Sequence, residues 1–199
     1  MEQLNPFLVE VSARHVHLKQ ADIEVLFGKG ASLSVKRSLL APSDFLCVER
    51  VDLVGPKHTI RNVAILGPVR KETQVEVSVT DCYTLGITPV IRHSGDLKDS
   101  APITIRGPAG ELEIQQGCIV AARHVHMKPE QAAYYHVYDG ELVDVMVQTD
   151  RPVVFEDTKV RVSPAFVLSM HIDTDEANAA LIPREGTKGW LRKKTPQRL

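Results

Sequence analysis

The segment Ala13-Arg14-His15-Val16-His17-Leu18-Lys19 recurs later in the chain as Ala122-Arg123-His124-Val125-His126-Met127-Lys128, with one conservative exchange. Each copy leads into a stretch of helical character, so the chain reads as two related halves and one structural unit used twice. The halves are drawn as residues 1–116 and 117–184, followed by a basic tail over 185–199 that carries the single tryptophan, Trp190. With 199 residues, 43% of them hydrophobic, there is enough apolar material for a core in each half.

Around the repeats, β-branched residues alternate with polar ones, and Gly, Pro or Asp-Gly turns arrive at short intervals. Thr73 to Thr80 alternates strictly, with Gln74, Glu76 and Ser78 on one face and Val75, Val77 and Val79 on the other. Ile103–Arg106 and Glu111–Ile114 flank Gly107-Pro108-Ala109-Gly110 as a hairpin would, and Asp139-Gly140 and Glu156-Asp157 mark further turns. Helix is expected only in short pieces: Gln20–Phe27 stopped by Gly28, Pro129–Tyr135 with proline in its first turn, and from Asp175 onward behind an Asp173-x-x-Glu176 capping box. The pattern predicts a mainly β protein with a small barrel or sandwich in each half and only a few short helices, rather than a parallel βαβ sheet. No Rossmann or Walker glycine pattern is present.

Side chains two apart on a strand share a face, so both imidazoles of a His-x-His pair can reach one ion. A single pair would ordinarily be a hydrogen-bonded feature of a strand; its duplication shifts the balance toward metal ligation. Each pair then needs a third ligand. Glu76 is the candidate for His15 and His17, because a carboxylate on that strand's polar face would be costly inside a barrel without a cation. For His124 and His126 it is His171, opposite the apolar face formed by Phe166, Leu168, Met170 and Ile172. Zinc suits these donors, as cobalt or iron would. Arg70 could grip an anion bidentately, on the same face as Glu76 if one strand spans both, or be a surface arginine. Ser94-Gly95-Asp96 reads either as a plain turn or as an oxyanion loop. His58, His93 and His136 have no such company.

Other features narrow the partners. Cationic and anionic side chains number 24 and 25, so no overall field favours nucleic acid or an anionic membrane. No apolar run approaches a membrane span, and the first residues lack a signal-peptide pattern, which together predict a cytoplasmic protein. Cys47, Cys82 and Cys118 are widely spaced and read as reduced, packed thiols.

Five blocks carry a family resemblance: Val11-Ser12-Ala13-Arg14-His15-Val16-His17, Leu66-Gly67-Pro68-Val69-Arg70-Lys71-Glu72-Thr73-Gln74-Val75-Glu76, Ser94-Gly95-Asp96-Leu97, Ala122-Arg123-His124-Val125-His126-Met127, and Met170-His171-Ile172-Asp173-Thr174-Asp175-Glu176-Ala177-Asn178-Ala179-Ala180. From about Val9 to Ala180 the sequence resembles PduL-type phosphotransacylases, also called phosphate propanoyltransferases. The resemblance implies two similar small β-barrels, each with a short α-helix, and a two-zinc site between them. His15, His17 and Glu76 would hold one zinc, which also meets the coenzyme A sulfur; His124, His126 and His171 would hold the other. Arg70 would grip phosphate with Ser94 nearby. The implied reaction interconverts a short acyl-CoA (propanoyl-CoA or acetyl-CoA) plus phosphate with acyl phosphate plus coenzyme A. A homodimer and residence in a bacterial microcompartment are implied as well. A dizinc hydrolase and a non-catalytic, zinc-stabilised barrel are the rival readings.

Overall fold

The alternating segments pair into two rings of strands in the computed structural model, which describes residues 5–40 and 44–192. Up to the second hairpin arm the elements are β1 (Phe7–Ser12), β2 (His15–His17), α1 (Gln20–Phe27), β3 (Val35–Ser38), β4 (Phe45–Val54), β5 (Thr59–Gly67), β6 (Gln74–Glu76), α2 (Val79–Leu85), β7 (Ile91–Arg92) and β8 (Ala101–Arg106). They continue as β9 (Glu111–Ala121), β10 (His124–Met127), α3 (Pro129–Tyr135), β11 (Leu142–Val147), β12 (Val153–Val162), β13 (Ser169–Asp173), α4 (Thr174–Ala179) and β14 (Thr187–Arg192).

The first barrel closes through β9, β6, β2, β5, β4 and β8, with β3 and β7 added at its margins. The second closes through β1, β13, β10, β12, β11 and β14. Around each ring the pairings follow the same order: parallel, antiparallel, parallel, then three antiparallel. Corresponding strands carry corresponding residues. His15 lies opposite Glu76 in the first barrel, and His124 lies opposite His171 in the second.

The first strand of each repeat belongs to the other repeat's barrel. β1 leads into β2 yet pairs with β13 and β14, while β9 leads into β10 yet pairs with β6 and β8. The compact units are therefore residues 13–121 and residues 1–12 together with 122 onward, so the division drawn at 116/117 becomes two crossings, after Ser12 and after Ala121. The two-residue links Ala13-Arg14 and Ala122-Arg123 are too short to step back across an intervening strand roughly 4.8 Å wide and reverse direction as well.

Other departures have local causes. The strand expected over Thr73–Thr80 ends at Glu76, because Ser78 and Asp81 form a capping box that starts α2 at Val79. That helix was hidden by the β-branched Val79 and Thr80. Only Ser169–Asp173 of the segment from Phe166 is strand. Part of the supposed tail is β14, which pairs with β1 and β11; its alternation is masked by Gly189, where a Cβ would come within 2.6 Å of Val9 Cγ2. Residues 193–199 lie outside the described part. The pieces expected at Gln20–Phe27 and Pro129–Tyr135, and the capping box at Asp173, are as the sequence indicated.

Both barrels are filled by aliphatic side chains. Val16, Leu53, Ile65, Val75 and Ile105 are buried in the first, and Val9, Val125, Val145, Val160 and Met170 in the second. Because Val16 and Val75 point inward, alternation puts His15, His17, Gln74 and Glu76 on the outer face of the first barrel, rather than inside it as the cost argument for Glu76 had assumed. The same holds for His124, His126 and His171, whose neighbours Val125, Met170 and Ile172 take the interior. Among the described residues no helix is long and apolar enough to cross a membrane.

Two candidate metal centres

Each triad is assembled where the repeat strand meets its antiparallel neighbour, and each repeat strand is anchored in the same way. Arg14, just before His15, donates from Nε to both carboxylate oxygens of Asp81 at 2.9 Å, and Asp81 is the acidic half of the α2 capping box. Arg123, just before His124, donates from Nη1 to Glu176 Oε1 at 2.8 Å, and Glu176 holds the equivalent place at the start of α4.

In the first centre the tautomers follow from the partners. His15 Nδ1 faces the Ala13 carbonyl at 2.9 Å and His17 Nδ1 faces the Leu66 carbonyl at 3.1 Å, so both carry the proton on Nδ1. The two Nε2 atoms are left as lone pairs 3.2 Å apart, with Glu76 Oε2 3.5 Å from His15 Nε2 and Oε1 3.9 Å from His17 Nε2. Two imidazole nitrogens and a carboxylate converge on one point. A cation satisfies that arrangement, and the donor set suits zinc.

Burial and the neighbouring His15 and Arg70 push His17 down to about 3. Burial alone would raise Glu76; the His15 and His17 rings, a hydrogen bond from Ser94 and the Arg70 charge outweigh it and hold the carboxyl below its usual value. A neutral His17 ring beside an ionised Glu76 carboxylate is the pairing of protonation states a metal needs.

In the second centre the donor atoms of His124, His126 and His171 all lie within 4.8 Å of one another. His124 donates through Nδ1 to the Ala122 carbonyl at 2.9 Å, repeating the geometry of His15. His126 Nε2 is buried without a hydrogen-bond partner, and in the tautomer that leaves a lone pair there a metal would satisfy it. Burial and the adjacent His124, His171 and Arg161 hold this ring at about 2. His171 Nε2 lies 3.0 Å from Ser169 Oγ, and its Nδ1 lies 3.8 Å from Glu10 Oε2 on the exchanged strand β1. Phe166 was expected on the apolar face with Met170. It instead precedes β13 and stacks on His126, with ring centroids 3.9 Å apart and an interplanar angle of 13°.

Arg70 and Ser94 come together beside the first centre. Arg70 lies in the loop before β6 rather than on one strand with Glu76, and its backbone N–H is held by the Leu18 carbonyl at 2.9 Å. Arg70 Nη1 donates to Ser94 Oγ at 3.3 Å. Gln74, two residues before Glu76, is buried and donates to both Ser94 and Glu76; its place on the polar face was visible in the alternation, its role was not.

The family model described as phosphate propanoyltransferase matches residues 8–183, a span that contains both triads, Arg70 and Ser94. The chain belongs to the phosphate propanoyltransferase family. A protein of Thermotoga maritima named phosphate propanoyltransferase is 49% identical over 176 residues, covering 88% of this chain and 84% of that one. Proteins of the same name from Alkaliphilus metalliredigens and Lachnoclostridium phytofermentans are 50% and 51% identical, covering 93% and 87% of this chain and 87% and 82% of theirs. Membership places the chain among the acyltransferases.

Proposed function

We propose that this phosphate propanoyltransferase family member exchanges the acyl group of a short acyl-CoA, propanoyl-CoA or acetyl-CoA, for inorganic phosphate, giving acyl phosphate and coenzyme A. The observation that carries the reading is that the Arg70 guanidinium and the Glu76 carboxylate share one hydroxyl: Ser94 Oγ accepts from Arg70 and donates to Glu76. His15, His17 and Glu76 would hold one zinc, and His124, His126 and His171 a second. Bound there, zinc supplies Lewis acidity for the thioester carbonyl and lowers the pKa of the coenzyme A thiol.

The chain's own groups bind and orient. Arg70 engages two phosphate oxygens and fixes a third toward the thioester carbon, with the Ser94 hydroxyl as a further contact. The new bond joins phosphate oxygen to carbonyl carbon, the C–S bond breaks, and the sulfur leaves as coenzyme A thiolate. No cysteine is required: all three are buried, and burial pushes the Cys118 thiol up and the Cys47 thiol up to about 11. Both are the wrong direction for a nucleophile.

The deciding experiment follows thiol release from propanoyl-CoA by the purified, zinc-loaded chain with and without phosphate. Release that depends on phosphate and yields acyl phosphate supports the transferase; equal release without phosphate replaces it with a dizinc hydrolase, and no release with tightly held zinc with a structural barrel. Arg70→Lys should lower kcat/KM for phosphate by about 10- to 100-fold, because the two-pronged contact is lost. A homodimer, and a cytoplasmic protein within a bacterial microcompartment, belong to the same proposal; sedimentation and fractionation of intact compartments test them.

A further inference from the structure

Gln74 sits on the outer face of β6 and is 2% exposed. A buried primary amide has two donors and an acceptor to satisfy, and here all are engaged. Nε2 donates to Glu76 Oε1 and, at 2.9 Å, to Ser94 Oγ. Oε1 accepts from the Gly95 N–H at 2.8 Å. The orientation is fixed by chemistry: the Gly95 N–H can only donate, so oxygen must face it, and nitrogen must face the Glu76 carboxylate.

One side of the amide thereby holds a metal ligand, and the other holds the loop whose serine meets Arg70. With Oε1 of Glu76 engaged by Gln74, Oε2 is the oxygen nearest His15 Nε2, at 3.5 Å. Among the described residues the second barrel has no equivalent device. Ser169 stands where Gln74 does in the strand register, and its short hydroxyl reaches only His171 Nε2 and the Val167 carbonyl.

We propose that Gln74 is a positioning residue that sets Glu76 for metal ligation and the Ser94-Gly95 loop for phosphate through one amide. The inference rests on the transferase reading above and adds a residue to it. Neighbouring partners of this kind are worth about 10- to 100-fold in metal affinity. A glutamine that merely filled space would affect stability without selecting one metal or one substrate.

The test compares the full-length wild-type chain with Gln74→Leu and Gln74→Glu. Zinc affinity is measured for each equivalent by competition with a chromophoric chelator, and KM is measured separately for phosphate and for propanoyl-CoA. Gln74→Leu should weaken one zinc equivalent by about 10- to 100-fold, leave the other unchanged, and raise KM for phosphate more than KM for propanoyl-CoA. Gln74→Glu keeps the volume but loses the donors, and should show the same selective weakening even if the leucine variant fails to fold. Zinc affinities unchanged in either folded variant, or falling equally at both sites, overturn the proposal. A wild-type chain that binds no zinc sinks the transferase reading and this inference together; wild-type zinc with unaltered variants sinks this inference alone.

Discussion

The two triads are built on the same register of two similar barrels, yet they differ in charge and surroundings. In the first, Glu76 brings a carboxylate, and Gln74, Ser94 and Arg70 form a polar network around it. In the second, His171 takes that place, a phenyl ring stacks on His126, and the nearest carboxylate, Glu10, stands off at 3.8 Å. A divalent ion would leave the first set of ligands with net charge near +1 and the second near +2. The duplicated backbone fixes where donors converge, and the unduplicated residues assign separate roles. Under the proposed reaction, the set with carboxylate and guanidinium would handle thiol and phosphate, and an ion held by three imidazoles would be the stronger electrophile.

Converting one centre into the other tests that division most severely. Glu76→His gives both barrels a histidine triad, and should retain zinc while turnover falls on the order of a hundredfold; metal analysis and initial rates decide, and unimpaired turnover would mean the asymmetry is idle.

Acid should act on both barrels in the same direction. An unfolded imidazole titrates near 6.5, whereas His17 is held at about 3 and His126 at about 2. Below about pH 6.5 the unfolded chain therefore binds more protons, so the stability these neutral rings contribute is present above that value and is lost as pH falls toward their folded values. Thermal melts of metal-free protein from pH 7.5 to about 5 should show a decline, reduced in His17→Asn and in His126→Asn.

The two arginine anchors should differ by less. Removing Arg14 strands the Asp81 carboxylate, whose side chain is only 4% exposed, whereas Glu176 is 20% exposed. Since Arg14 is itself half exposed, Arg14→Ala should cost about 1–2 kcal/mol and Arg123→Ala about half as much in urea unfolding.

The smallest effect is expected from exchanging cysteines for their counterparts. Register pairs Cys118 with Val75 where Val9 pairs with Met170, and Cys82 follows its capping box as Ala177 follows the other. Cys118→Val and Cys82→Ala should keep most turnover; loss in a folded variant would give a thiol a role that packing does not.

Much of the candidate site was legible because strand periodicity is local. Two-residue spacing forces His15 with His17, and His124 with His126, onto common faces, and the polar-face positions of Glu76 and His171 follow from their own alternation. The repeat likewise indicated two related units. Ser78-x-x-Asp81 was an available helix signal that the β-branched run obscured, and β14 was hidden by a glycine that close packing against Val9 demands.

What the sequence determined by itself, then, was which donors travel together and how many similar units carry them, because those depend on neighbours one turn or one pleat away. Tertiary structure alone decided that the histidines face outward, that β1 and β9 change places, that Gln74 bridges Glu76 to Ser94, and that Phe166 covers His126. Alternation distinguishes two faces without saying which is inside. Pairings such as His15 with Glu76 are chosen by long-range burial and register, which no local pattern records.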